Sequence, residues 1–375
     1  MSLPDAREGE SLGFHAYARV SDEGTLGDPE QIIWSSIRHV CSRSFAEALA
    51  AEVHGVKRKA DRQGVARNVK LYVQQSSEFY EAARNARPNT APLIYYYAFL
   101  NLAKALCEFK SPYFHERQEC YRHGLSWKPD PKTTVNMLKE AVFLTTRGVW
   151  HSLWEALRGA HCSAANPTKL CVRDLFAYCP EISVEFERSF GEGLRTLDLE
   201  KPDTLYDKKK RETWIRFSIH RIDFQVNRVS APASLAQIAT PRSGYIEVNS
   251  TNEDYRTFQT AKPARVKPSQ GIHDALNEDF LGLNLFTHIG REHEMTYFLP
   301  VQNKLPLRLP QVIVLYTILF WLGSLVRYDP HSVSYLMDSP AWILIDGFMS
   351  QSRLWLLEQF EWAIYQAETT LWLAR

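Results

Sequence analysis

Arg117 and His123, with five residues between them in RQECYRH, are the pairing in this chain whose types and spacing could do chemistry. An imidazole supplies a general acid or base near neutral pH, and a guanidinium beside it stabilises negative charge building on a reacting oxygen. Other Arg/His pairs miss this spacing: three residues separate Arg147 from His151 and Arg216 from His220, and the second pair lies in an alternating, strand-like run. His288 and His293 in HIGREH lack the i, i+4 placement of a helical zinc site, and Glu292 does not restore it. A second candidate set comes from the basic run KRKADRQGVAR, in which Lys57, Arg58, Lys59, Arg62 and Arg67 could contact phosphates. Such a run, like DKKKR at Asp207 to Arg211, is more often the solvated end of a helix or a loop.

Several chemistries lose their usual anchors. The patterns GxxxxGK[ST], GxGxxG and GxSxG are absent, which removes the common signatures of nucleotide hydrolysis, dinucleotide binding and α/β-hydrolase catalysis. Cys41, Cys107, Cys120, Cys162, Cys171 and Cys179 include no CxxC pair and no Cys/His grouping with zinc spacing, so neither a metal nor another cofactor is expected. Lys and Arg total 44 against 43 for Asp and Glu, a net charge of +1, so nucleic-acid binding would have to come from a local patch. The N-terminal MSLPDAREGESLGF lacks a basic start followed by an apolar run; with free thiols, this points to the cytoplasm. The most apolar stretch, Gln311 to Val326, spans about 24 Å as a helix, short of a bilayer's hydrocarbon core, and reads as a buried core helix rather than a membrane span.

The elements that must position the pair are helical. Val65, Val69, Tyr72, Ser76, Phe79, Ala83 and Ala86 recur at alternating steps of four and three, one face of a long helix. Pro88 ends it and Pro92 suits the start of a second helix, with Leu93, Tyr96 or Tyr97, Leu100, Ala103 and Cys107 inward. So short a connection makes the two antiparallel neighbours. Upstream, Asp28 and Pro29 read as cap and first residue of another helix. Downstream, KTTVNMLKEAVFLTTRGVWHSLWEALRG reads as two helices divided near Arg147 and Gly148, and NPTKLCVRDLFAYCP as a short helix ending by Pro180. Arg327 in RYDP is placed to cap the preceding helix or pair with Asp329. The closing run from Ala341 is a long helix with a break expected near Gly347.

Periodicity changes around Glu181. IRFSIHRIDFQVNRV, GYIEVNS and MTYFLPV are strand candidates, and the polar stretch near residues 252 to 275 reads as a long loop. The expected fold is therefore mainly α, an antiparallel helical bundle with a smaller β-containing insert in the second half. Its parts are a loosely ordered lead-in at 1–27, a helical domain at 28–180, the insert at 181–305, and C-terminal helices at 306–375 packing on the helical domain.

Three segments carry a family resemblance: the helix pair ending in PLIYYYAFLNLAKAL, the HGL at His123 to Leu125, and SLVRYDP after an apolar helix. In this order and spacing they resemble the YaaC-like family of bacterial proteins over roughly residues 30 to 370. That resemblance implies a cytoplasmic, mainly helical protein and brings no catalytic residues with it. The Arg-to-His spacing separately resembles the signature of HEPN-type ribonucleases, although Gln118 stands where those enzymes usually carry a small polar residue. It implies metal-independent cleavage, with His123 acting at the RNA 2′-hydroxyl and Arg117 on the phosphorane, in a dimer. The expected function is an interaction or effector module that binds a partner protein or nucleic acid, as a homo-oligomer or hetero-complex, in bacterial stress or anti-phage defence. The alternative is the HEPN-type endoribonuclease.

Overall fold

The turn at Pro88 closes one helix, Lys59–Arg84, and a second runs over Ala91–Lys110, with Thr90 and Ala91 both donating backbone N–H groups to the Arg87 carbonyl. This pair anchors one of two compact units in the computed structural model: Ala18–Gly191 with Leu305–Arg375 form a helix-rich unit, and Met1–Tyr17 with Glu192–Lys304 a sheet-based one. The structure describes residues 10–11, 17–21, 28–129, 135–163, 167–227, 244–250, 252–268, 271–289, 295–301, 305–365 and 368–372. Most of the expected lead-in at 1–27 lies outside them; within it Glu10–Ser11 and Tyr17–Ser21 are strands.

In the helix-rich unit the buried face of the first long helix is Val65, Val69, Val73, Ser76, Tyr80 and Ala83. It drifts from the expected stripe because an α-helix turns slightly more than seven residues per two turns, so Tyr80 replaces Phe79 in the core. The Ser76 hydroxyl donates to the Ala98 carbonyl at 2.6 Å, tying the pair together. The second helix is buried nearly all round and packs on Gln311–Tyr328 and Ala341–Tyr365. Gln311–Tyr328 is long and apolar enough to cross a membrane, and 83% of it is buried inside the protein. At the start of Pro29–Arg38, Asp28 caps the Glu30 N–H as its sequence implies. The Glu30 carboxylate then meets the Arg353 Nε at 2.8 Å, joining that helix to Ala341–Tyr365. The last helix passes Gly347 unbroken; a Cβ there would meet Glu185 at 3.0 Å, so the glycine serves close packing.

The mainly helical expectation does not hold. The second unit is built on an eight-stranded antiparallel sheet, ordered Phe286–Ile289, Met295–Pro300, Thr196–Asp207, Glu212–His220, Tyr255–Thr260 and Tyr245–Val248. Glu10–Ser11 adds to Thr196–Asp207, and Ala264–Arg265 to Glu212–His220. Ile215, Phe217 and Ile219 point inward as their alternation requires, meeting Leu197, Phe258, Leu276 and Leu299. The expected loop at 252–275 contains two of these strands and the start of the helix Ile272–Leu283. Its strand Tyr255–Thr260 buries Thr257, Gln259 and Thr260, polar side chains satisfied across the sheet: Arg216 donates to Gln259 Oε1 at 2.8 Å and Ile215 N to Thr260 Oγ1 at 3.3 Å. Phe258 joins the core, but Thr257 and Gln259 are buried on the opposite face, so hydrophobic periodicity gives no clear alternation here.

The helix-rich unit has a sheet of its own. Leu125–Ser126, Ala141–Leu144 and Lys169–Cys171 form three antiparallel strands, where helix was expected over 141–144. A further two-stranded pair joins Tyr17–Ser21 to Glu368–Trp372. The fold is thus a substantial mixture of α and β.

Candidate functional site

His123 is held by a backbone crossing. Val149 N donates to the Arg122 carbonyl at 2.8 Å, Trp150 N to the His123 carbonyl at 3.0 Å, and Thr145 N to the Gly124 carbonyl at 3.1 Å. The segment at 122–124 therefore straps across the start of the helix Val149–Arg158 before entering the three-stranded sheet. At Gly148, φ is +151° and a Cβ would fall 2.2 Å from the Gly124 nitrogen, so only glycine fits.

This strap sets the imidazole against the helix pair. The Tyr96 hydroxyl lies 2.6 Å from His123 Nδ1 and 3.4 Å from the Tyr316 hydroxyl. Because Tyr316 is fully buried, its hydroxyl proton finds an acceptor among these three groups only if Tyr316 donates to Tyr96 and Tyr96 to Nδ1, which leaves the imidazole proton on Nε2. Burial pushes the His123 pKa down, with Lys104 and Arg327 adding to it, so the ring is neutral at pH 7. Burial raises the Tyr96 phenol well above its ordinary value and keeps it protonated.

His123 lines a cleft of about 470 Å³. Leu93, Tyr96 and Tyr97 contribute one wall, His123 to Trp127 a second, and Phe320, Ser324, Arg327 and Tyr328 a third. The walls meet closely because Gly323 lets Gln311–Tyr328 approach the Tyr96 helix: a Cβ at Gly323 would stand 3.2 Å from Tyr96 Cβ. Arg327 does not take the expected partner. Its Nη1 donates to the Tyr97 hydroxyl at 3.3 Å and its guanidinium lies 5.1 Å from the Tyr328 ring, while Asp329 caps the next helix through Ser332. None of the described residues lining the cleft is acidic.

Arg117 stands elsewhere. It is exposed, between the short turns Phe114–Glu116 and Gln118–Tyr121, and it is not among the residues that line the His123 cleft. That turn is fixed by the fully buried Glu108 carboxylate, which accepts from Tyr113 N and His115 N at 3.0 Å and from Asn68 Nδ2 at 3.1 Å. Among the described residues no hydrogen bond or ion pair joins Arg117 to His123.

The basic run opens the helix Lys59–Arg84. Lys57, Lys59 and Arg67 are exposed and Arg62 is half-buried. Arg58 is clamped by both Asp61 carboxylate oxygens, at 2.8 and 3.0 Å, and Asp61 also accepts from the Tyr113 hydroxyl. Part of the positive charge is thereby compensated locally. Among the described residues no three His, Cys, Asp or Glu side chains gather as a metal site, and His293 and Glu292 lie outside the described residues.

The segments PLIYYY, HGL and SLVRYDP all reach this cleft. Each segment alone carries only packing and family likeness; their convergence needs the helix crossing at Gly323 and the strap at Gly148. The architecture defines a two-unit α/β protein with an aromatic, cation-bearing cleft in its helix-rich unit. The chain belongs to the YaaC-like protein family, whose model matches residues 41–361. Comparison with curated proteins and with solved structures gives no match.

Proposed function

We propose that this protein is an interaction module that binds nucleic acid through the His123 cleft without cutting it. The observation that carries this reading is the cleft itself: rings from three segments surround a neutral histidine and an exposed arginine. Flat bases stack on such rings, a contact worth about 1–3 kcal/mol per base, and a guanidinium suits phosphate. Arg117, the second half of the proposed catalytic pair, lies outside the cleft lining, which weakens the case for phosphodiester cleavage by that pair.

The rival ribonuclease reading has one observation in its favour, the His123 Nε2 with no hydrogen-bond partner among the described residues. Incubating the purified protein with single-stranded RNA in EDTA separates the two. The binding reading expects RNA retained intact and retention reduced by His123→Ala. Release of fragments ending in 2′,3′-cyclic phosphate, abolished by His123→Ala, would overturn it in favour of the nuclease.

A further inference from the structure

Resting on the reading of the cleft as the recognition surface, we propose that it accommodates one nucleoside monophosphate unit, free or at the end of a strand. Its base would stack among the rings and its phosphate would sit on Arg327 and His123.

Size is the first argument. About 470 Å³ falls in the range of small-ligand pockets and suits a single nucleotide rather than a run of stacked bases.

The distribution of chemistry is the second. Tyr97, Trp127, Phe320 and Tyr328 supply aromatic surface, and the indole of Trp127 is fixed by its Nε1 donating to Glu140 Oε2 at 2.6 Å. A ring already held in place loses little freedom when a base packs on it. Arg327 spends one N–H on the Tyr97 hydroxyl, and its other N–H groups have no hydrogen-bond partner among the described residues. His123 Nε2–H adds a neutral donor on the same cleft, aligned by the tyrosine chain behind it. Ser126 and Ser324 add two hydroxyl-bearing side chains to the lining.

Charge is the third. With no acidic side chain among the described lining residues, and with Lys104 and Arg327 both close enough to disfavour protonation of His123, the site favours an anion over a neutral ligand.

Calorimetric titration of the full-length protein tests this with adenosine 5′-monophosphate, adenosine, and RNA octamers with and without a 5′-phosphate. The monophosphate should bind at least about tenfold more tightly than adenosine, and Arg327→Ala should remove about tenfold or more of that affinity. Arg327 is exposed, so a preserved unfolding transition is expected in that variant; Tyr328→Ala, at a side chain 58% exposed, is the second probe and should weaken monophosphate and adenosine alike. Preference for the 5′-phosphorylated octamer would assign the site to strand ends, and binding of the free monophosphate with octamers indifferent to their ends would assign it to free nucleotides. Equal binding of adenosine and its monophosphate, or an unchanged Arg327→Ala, overturns the proposal. Octamers that bind through the cleft while the monophosphate does not would also overturn it, yet leave the nucleic-acid reading standing. No binding by any probe would remove both.

Discussion

At His123 a single hydrogen bond decides both tautomer and direction. Replacing Tyr96 by Phe removes the 2.6 Å contact to Nδ1 and leaves a half-buried imidazole nitrogen unpaired, which should cost about 1–2 kcal/mol in urea unfolding. Nucleotide affinity should fall with it, because Nε2 no longer has its proton fixed. A second histidine reports on pH. His54 stacks on Phe109 at 4.7 Å and donates Nε2–H to the Ile364 carbonyl, and burial, helped by Lys110, lowers its pKa to about 4. Its folded value lies below the unfolded one near 6.5, so the unfolded chain takes up the proton first as the solution is acidified. The stabilisation is complete above about pH 6.5 and is lost as pH falls toward 4, on the order of 3 kcal/mol. Urea midpoints measured across this window should drop in the native protein and drop less in His54→Gln; parallel slopes would count against the assignment. Individual residues were only partly legible in the sequence. His123 stood out by type, but the partners of Arg327 did not, because the nearby Asp329 looked like the natural one and Tyr97 is remote in sequence.

Elements explain why the cleft exists. The strap at 122–124 and the start of Val149–Arg158 cross at two glycines, and Gly148→Ala would force a methyl group to 2.2 Å from backbone nitrogen. This change should destabilise the protein by roughly 3 kcal/mol or more, since strained φ and a backbone clash add. A thermal midpoint within a few degrees of the native one would show that the crossing relaxes easily. The Glu30–Arg353 pair tests a second junction. Glu30→Ala removes this ion pair while Arg353 Nη1 still donates to the Tyr95 hydroxyl at 3.0 Å, so it should cost on the order of 1 kcal/mol. The long helices were readable because Pro88, Pro92 and the three-four spacing act locally. The strand Ala141–Leu144 was not: four residues rich in apolar side chains fit either state, and its partners Leu125–Ser126 and Lys169–Cys171 are distant in sequence. The cleft was legible only as three separate segments, since spacing along the chain carries no information about the helix crossing that joins them.

Across the whole molecule, near-neutral charge limits how any ligand is drawn in. With a net charge of +1 and few cations on the cleft, binding should show a shallow salt dependence, a slope of log K against log salt of about −1 to −2. A slope several times steeper would point to a broad basic surface. The sheet-based unit was the least legible part, because a strand such as Tyr255–Thr260 hides polar side chains in cross-strand pairs and gives no apolar rhythm. Eight strands paired by hydrogen bonds leave a weaker imprint on sequence than two helices separated by a proline.

The most direct test sets the cleft against the exposed basic run. Affinity for a fluorescent single-stranded RNA should be compared in the native protein, in Arg327→Ala, and in the double variant Lys57→Ala with Lys59→Ala. A loss of about tenfold or more is expected for Arg327→Ala and less than about threefold for the double variant. A large loss from the double variant with Arg327→Ala unchanged would contradict binding through the cleft.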